Sequence, residues 1–401
     1  MKFAIQMGYG LQQAAIDLAR DLGGSTIVVS PRVFRVREGT SIEESMIKYC
    51  HRISSHANTV LIDPLLYTPK NLLRQTTATK YASNVILEGR AGYVHAVQEI
   101  LQLNDTCDTS VAILPSWTIG EPDSQWAQFQ ETASKEALAN DYERPAYTTI
   151  ALTADFLKES KSIDWIARNT ERWDSPGVFL ALEHPNNDYL SDEPLWLLNA
   201  LCLIATLKRM GKKVILGYAS HQFLIAALAK CDYLCSGNFL NVRRFYTKDF
   251  EKRDNQNPSR RTKWYYAPHT LSEYKVTSLD LAYGMGILES LQSPYDDKYD
   301  EMLFSGALPS ATAYSESLSH KHYLYSLHHQ CAQIPTTTYQ EAYDSCTMLV
   351  RTAQFMNEGL RKRGIDDANR SFANAFQACD QAMKAFNSKM GFIMGQLWKT
   401  I

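Results

Sequence analysis

The chain has no apolar run near the ~18 residues a membrane span requires. It has no CxxC pair and no HExxH, so the common zinc and dithiol signatures are missing. It has no charge of one sign: 41 Lys and Arg stand against 43 Asp and Glu, which excludes a uniformly cationic nucleic-acid coat though not a local basic strip. Eight cysteines in 401 residues are too few for a disulfide framework. Most sit among apolar neighbours, as in Leu201-Cys202-Leu203-Ile204, and read as reduced structural thiols of a cytoplasmic protein. Met1-Lys2-Phe3-Ala4-Ile5-Gln6 is too short in apolar residues for a signal peptide and reads as a first strand. Gly8-Tyr9-Gly10 lacks the rest of the dinucleotide fingerprint. What remains is an ordinary globular balance, 45% hydrophobic and 21% charged.

Eight short apolar runs rich in β-branched residues alternate with helix-like stretches: 3–7, 26–30, 59–63, 111–115, 149–153, 178–183, 214–218 and 233–236. Near-continuous hydrophobicity suits parallel strands buried on both faces. Residues 11–22 read as a helix ended by Gly23-Gly24, and 191–211 as one opened by Ser191-Asp192-Glu193-Pro194. Eight strand–helix repeats predict a closed (β/α)8 TIM barrel over 1–240, with a doubly wound open sheet as the alternative. Residues 241–401 then read as a basic and aromatic segment followed by a helical extension packed on the barrel.

Active sites of such barrels lie at the C-terminal strand ends. Asp63, Asp155 and Glu183 all follow strand-like runs there, so three carboxylates are expected on one rim. Paired carboxylates divide nucleophile from acid/base when their surroundings separate their pKa values. For Asp155 a helix N-cap is the plainer reading. Gln6, His184, Tyr218, Ser236 and Asn238 end other runs and are expected to line a small-molecule pocket. His320, His322, His328, His329 and Cys331 crowd one helical segment, but their spacing fits no standard metal pattern, and no metal or other cofactor is predicted.

The stretch 241–263 carries eight Lys or Arg against three acids and leads into Trp264-Tyr265-Tyr266. Arginines beside aromatics suit a phosphate backbone and an unstacked base. Arg243, Arg244, Arg260 and Arg261 are the expected phosphate contacts. Pairing of the first two with Asp249 and Glu251 is the alternative.

Four segments together carry a resemblance: Ser25-Thr26-Ile27-Val28-Val29-Ser30-Pro31-Arg32, Leu61-Ile62-Asp63-Pro64 followed by Tyr67, the run from Cys235 to Phe245, and Trp264-Tyr265-Tyr266-Ala267-Pro268 running into Leu271-Ser272-Glu273-Tyr274-Lys275. They resemble the tRNA-guanine transglycosylase-like barrels, closest to the branch that inserts 7-deazaguanines into DNA. The resemblance implies exchange of guanine in nucleic acid, DNA favoured over tRNA, for a base such as preQ0, through a covalent carboxylate intermediate on a flipped-out nucleotide. Asp63 matches the family's early strand-end aspartate. The sequence departs from the family twice. Tyr233-Leu234-Cys235-Ser236 holds no late aspartate, and the CxCxxC zinc site is missing. The first departure leaves the nucleophile open and favours a rival reading, a catalytically silent barrel that binds nucleic acid or a partner protein. A third reading is an unrelated barrel hydrolase using Asp63 and Glu183. A homodimer or a partner subunit stays open, and no membrane partner is expected.

Overall fold

The computed structural model describes residues 1–34, 41–55, 59–68, 89–139, 142–251, 262–366 and 370–401. The strands are β1 (Lys2–Gln6), β2 (Thr26–Val29), β3 (Thr59–Ile62), β4 (Ala112–Ile113), β5 (Thr118–Ile119), β6 (Ala146–Leu152), β7 (Gly177–Leu182), β8 (Lys213–Gly217) and β9 (Tyr233–Ser236). All pair in parallel, in the order β3-β2-β1-β9-β8-β7-β6-β4, with β5 added on β6. The result is a curled α/β sheet with helices packed on it. No helix of the described residues is long and apolar enough to cross a membrane.

The expected closure is not found. β3 and β4 end the order, and among the described residues no ladder joins them. One backbone bond crosses the gap, from Ser110 N–H to the Val60 carbonyl at 3.2 Å. The reason is local. β4 keeps only two ladder residues: its Leu114 N–H is turned to the Tyr147 carbonyl on the β6 side, and Pro115 has no N–H to give to either neighbour. Sequence periodicity reads the apolar run but not how much of it pairs.

The concave face is filled by aromatic rings and small residues: Ala4, Val28, Leu61, Ala151, Phe179, Ala181, Ile215 and Cys235 are all buried in one cluster. Each buried Phe or Leu contributes about 1.5–3 kcal/mol relative to exposure. Gly217 is required by this packing, since a Cβ there would lie 2.4 Å from the Phe179 ring.

After β9 the chain makes a hairpin that the sequence reading missed, β10 (Trp264–Ala267) with β11 (Ser272–Lys275), antiparallel. Its tyrosines alternate in the β fashion, yet their cluster reads equally as a loop of stacking aromatics. Helices Glu316–Gln333, Tyr339–Arg361 and Phe376–Leu397 follow, as the helical extension predicts. They share one buried cluster with the sheet's outer face, including Phe3, Leu224, Tyr323, Val350 and Phe386.

Candidate functional site

Strands β1–β9 all run the same way, so Asp63, Glu183 and Ser236 lie at one edge of the sheet. Asp63 continues β3 by one step: its N–H bonds the Val29 carbonyl at 3.0 Å. Pro64 then turns the chain and Leu65 adopts a left-handed φ of 59°. That turn aims the Leu65 N–H at Asp63 Oδ1, 3.0 Å away, and brings Tyr67 over the carboxylate. The Tyr67 hydroxyl lies 3.0 Å from both carboxylate oxygens. From the end of β8, Tyr218 donates to Oδ2 at 2.5 Å. Gln6, last residue of β1, ties the group together. Its Nε2 stands 3.4 Å from Asp63 Oδ2, and its Oε1 accepts the Tyr218 N–H at 2.7 Å.

Asp63 is fully buried. Burial raises its carboxyl above the usual carboxylate range, against the opposing hydrogen bonds of Tyr218, Leu65 and Tyr67 and the charge of Arg32. No cation within hydrogen-bonding contact offsets the loss of water among the described residues. A carboxyl so placed holds its proton more readily than a solvated one, and when charged it is met by four neutral donors, Tyr218, Tyr67, the Leu65 N–H and Gln6.

The rings close over it. Phe245 and Phe250 lie 4.9 and 4.8 Å from Tyr67, and 5.4 and 5.5 Å from Tyr218, centroid to centroid. Arg32 caps Phe250 at 5.1 Å and bonds the Asn241 carbonyl. Neither phenylalanine stands out in the sequence, where both are hidden in the basic strip. Tyr67 had a usable signal, four residues after a strand-end aspartate.

The expected trio of converging carboxylates is not formed. Asp155 sits in the first turn of the short helix Ala154–Lys158, capped by Thr153, with its side chain 88% exposed and paired to Lys158. The N-cap expected at Asp155 is thus supplied two residues earlier, by the Thr153 hydroxyl, which accepts the Phe156 N–H. Glu183 is half-buried, but it accepts the Thr247 N–H at 2.9 Å and forms an isolated parallel bridge with Phe245. No described hydrogen bond joins it to the Asp63 network.

His184 is buried beside Trp196 and Phe223 in the helical layer, and burial pushes its imidazole down to about 4. It packs apart from the Asp63 ring cage because successive residues of an extended chain face opposite sides. Ser236 is buried with its hydroxyl 3.5 Å from that of Tyr323. Asn238 donates to the Tyr9 carbonyl at 3.1 Å, and its buried Oδ1 faces Gly8, where a Cβ would meet it at 2.1 Å.

The arginine expectations divide. Arg243 is 3% exposed and serves the fold. It donates to the Gly237 and Asn238 carbonyls at 2.8 and 2.9 Å, pairs with Glu273, and lies 3.5 Å over the Tyr323 ring. A phosphate cannot reach it. Glu273 is also bound by Arg370 and by the Tyr189 hydroxyl at 2.9 Å. Burial works against the Glu273 charge, yet Arg370 and Arg243 hold its carboxyl down to about 2. Arg244 lies 4.0 Å from Asp249 and 5.7 Å from the Tyr246 ring, so the pairing alternative applies to it. Arg260 and Arg261 lie outside the described residues.

Of the histidine cluster, His322 meets carboxylates. Potential donor atoms of Asp297, Asp300 and His322 lie within 4.8 Å of one another. Both His322 ring nitrogens have oxygen partners at 2.6 Å, Asp297 and the Tyr266 carbonyl, and Asp297 and Asp300 raise the imidazole's pKa against its burial. An imidazole that donates to both oxygens has no lone pair for a metal.

Compared with known protein families and with curated proteins, the chain matches none of them.

Proposed function

We propose that this chain is a transglycosylase-like protein that exchanges guanine in nucleic acid, DNA favoured over tRNA, for a 7-deazaguanine such as preQ0. The observation that carries the reading is the Asp63 cluster: one carboxylate at a strand end, fully buried, with Tyr67, Tyr218 and Gln6 fixed around it. The strand order also follows a (β/α)8 circuit opened between β3 and β4, the scaffold the resemblance implies.

In this reading ionised Asp63 attacks C1′ of the flipped nucleotide. The new C1′–O bond forms as the bond to guanine N9 breaks, and guanine leaves with its electron pair and takes up a proton. The incoming base loses a proton and reverses the step. Tyr218 and Tyr67 stabilise the carboxylate when it departs again. The test is incubation with DNA and, separately, tRNA carrying labelled guanine, followed by preQ0. Label release that falls at least ~10²-fold in Asp63→Asn supports the reading; no release from either nucleic acid overturns it.

A specific observation favours a second reading, the silent subunit. Glu183 is engaged with Thr247, Asp155 is exposed, and neither supplies the second carboxylate of an exchange. In that case nucleic acid or a partner protein binds with no label release, and Asp63→Asn changes nothing but stability.

A further inference from the structure

We infer that residues Phe245–Phe250 form a strap, latched by Glu183, that fills the place over Asp63 in which a planar base would stack. This deepens the proposed function and rests on it for the identity of the base.

Three observations converge. First, the strap's contribution to the site is two flat rings. Phe245 and Phe250 complete the cage made by Tyr67 and Tyr218, with all centroid separations among these pairs between 4.8 and 5.5 Å. Those are stacking and edge distances, so the rings hold the volume that any aromatic ligand of Asp63 would need. Second, the strap begins at a fixed point. Arg243 is locked by Glu273 and two carbonyls, so motion starts beyond it. Third, three described hydrogen bonds attach the strap to the sheet edge. Glu183 Oε1 accepts from Thr247, His184 N–H bonds the Phe245 carbonyl at 3.1 Å, and Thr68 Oγ1 donates to the Phe250 carbonyl at 3.3 Å. Of these, the Glu183 bond is made by a half-buried side chain at the middle of the strap.

A closed strap lowers apparent affinity by the fraction of molecules that are open, so loosening the latch should tighten binding without any new contact. It also reassigns Glu183. A latch needs only an acceptor oxygen, whereas a general acid or nucleophile needs an ionisable one. Glu183→Gln keeps the acceptor and removes the ionisation; Glu183→Ala removes both.

The experiment uses the full chain in three variants, Glu183→Gln, Glu183→Ala and Phe250→Ala, with two readouts. Hydrogen exchange is followed on the peptide containing Thr247, and binding of preQ0 and of indole is measured by calorimetry. The strap predicts wild-type behaviour for Glu183→Gln. It predicts exchange about five- to tenfold faster for Glu183→Ala, the scale of one lost hydrogen bond. It also predicts preQ0 binding about five- to tenfold tighter in both alanine variants, the same factor by which the open fraction rises. Should the strap open while indole and preQ0 gain alike, with no label released from nucleic acid, the strap stands and the base-exchange reading falls. Unchanged Thr247 exchange in Glu183→Ala overturns the strap. So does folded Phe250→Ala that binds neither probe better. Loss of base exchange in Glu183→Gln with unaltered Thr247 protection returns Glu183 to the chemistry and also overturns it.

Discussion

Two buried carboxylates stand near the same edge of this protein, and they are held in opposite ways. Glu273 faces two arginines and a tyrosine, and its carboxyl is pulled down to about 2. Asp63 faces two tyrosine hydroxyls, a backbone N–H and an amide, and burial pushes its carboxyl up. A buried acid matched by cations is committed to its charge and to the fold. One surrounded by neutral donors keeps both protonation states within reach, which is what proton or nucleophile chemistry demands. The arginine that the sequence offers to a ligand, Arg243, is spent on the first kind of site.

The largest effect expected from this contrast is on stability. Glu273→Ala leaves Arg243 buried without its anion and should cost about 3–5 kcal/mol, read from urea unfolding. A loss below about 1 kcal/mol would mean that the arginine finds water, and the contrast would weaken. Next comes acid. The stabilisation from Glu273 is complete above its ordinary value of 4.5 and is lost as pH falls from there toward 2, a change on the order of 3 kcal/mol. Asp63 works with the opposite sign: its proton favours the folded state, so its contribution falls as pH rises from 3.8 through its raised folded value. Subtracting the unfolding curves of Glu273→Gln and Asp63→Asn from wild type at a series of pH values should give slopes of opposite sign; equal signs would sink the comparison.

Smaller is the effect of Asp63→Asn on stability at pH 7. The amide removes a charge that burial disfavours while keeping most hydrogen bonds, so the change should stay within about 1 kcal/mol of zero and is as apt to stabilise. Smallest is Asp155→Ala, an exposed first-turn residue, expected within about 0.5 kcal/mol and with no effect on base exchange.

Legibility follows the same division. All eight apolar runs appear as parallel strands, because alternation of buried runs and helices is a local property of the chain. Closure was not legible, since it depends on how β3 and β4 meet. Asp63, Gln6 and Tyr218 were readable because strand ends in a parallel sheet must share an edge. Glu183 and Asp155 satisfied the same rule and make their described hydrogen bonds and ion pairs apart from the Asp63 network. Which way a loop residue turns depends on partners such as Thr247 and Lys158, which no strand pattern encodes. Arg243 was misread for a similar reason: its partner Glu273 lies 30 residues on, in a hairpin the pattern did not announce.

The Glu273 lock also sets a clock on synthesis. Arg370 lies 97 residues after Glu273, which at ribosomal speeds of about 5–20 residues per second is an interval of roughly 5–20 s. Throughout that interval Arg243 has been made and Arg370 has not, so only one of the two cations of the finished lock is present in the chain. Every strand of the sheet lies before residue 237, so the charge balance of the lock can be completed only after the whole sheet has been synthesised.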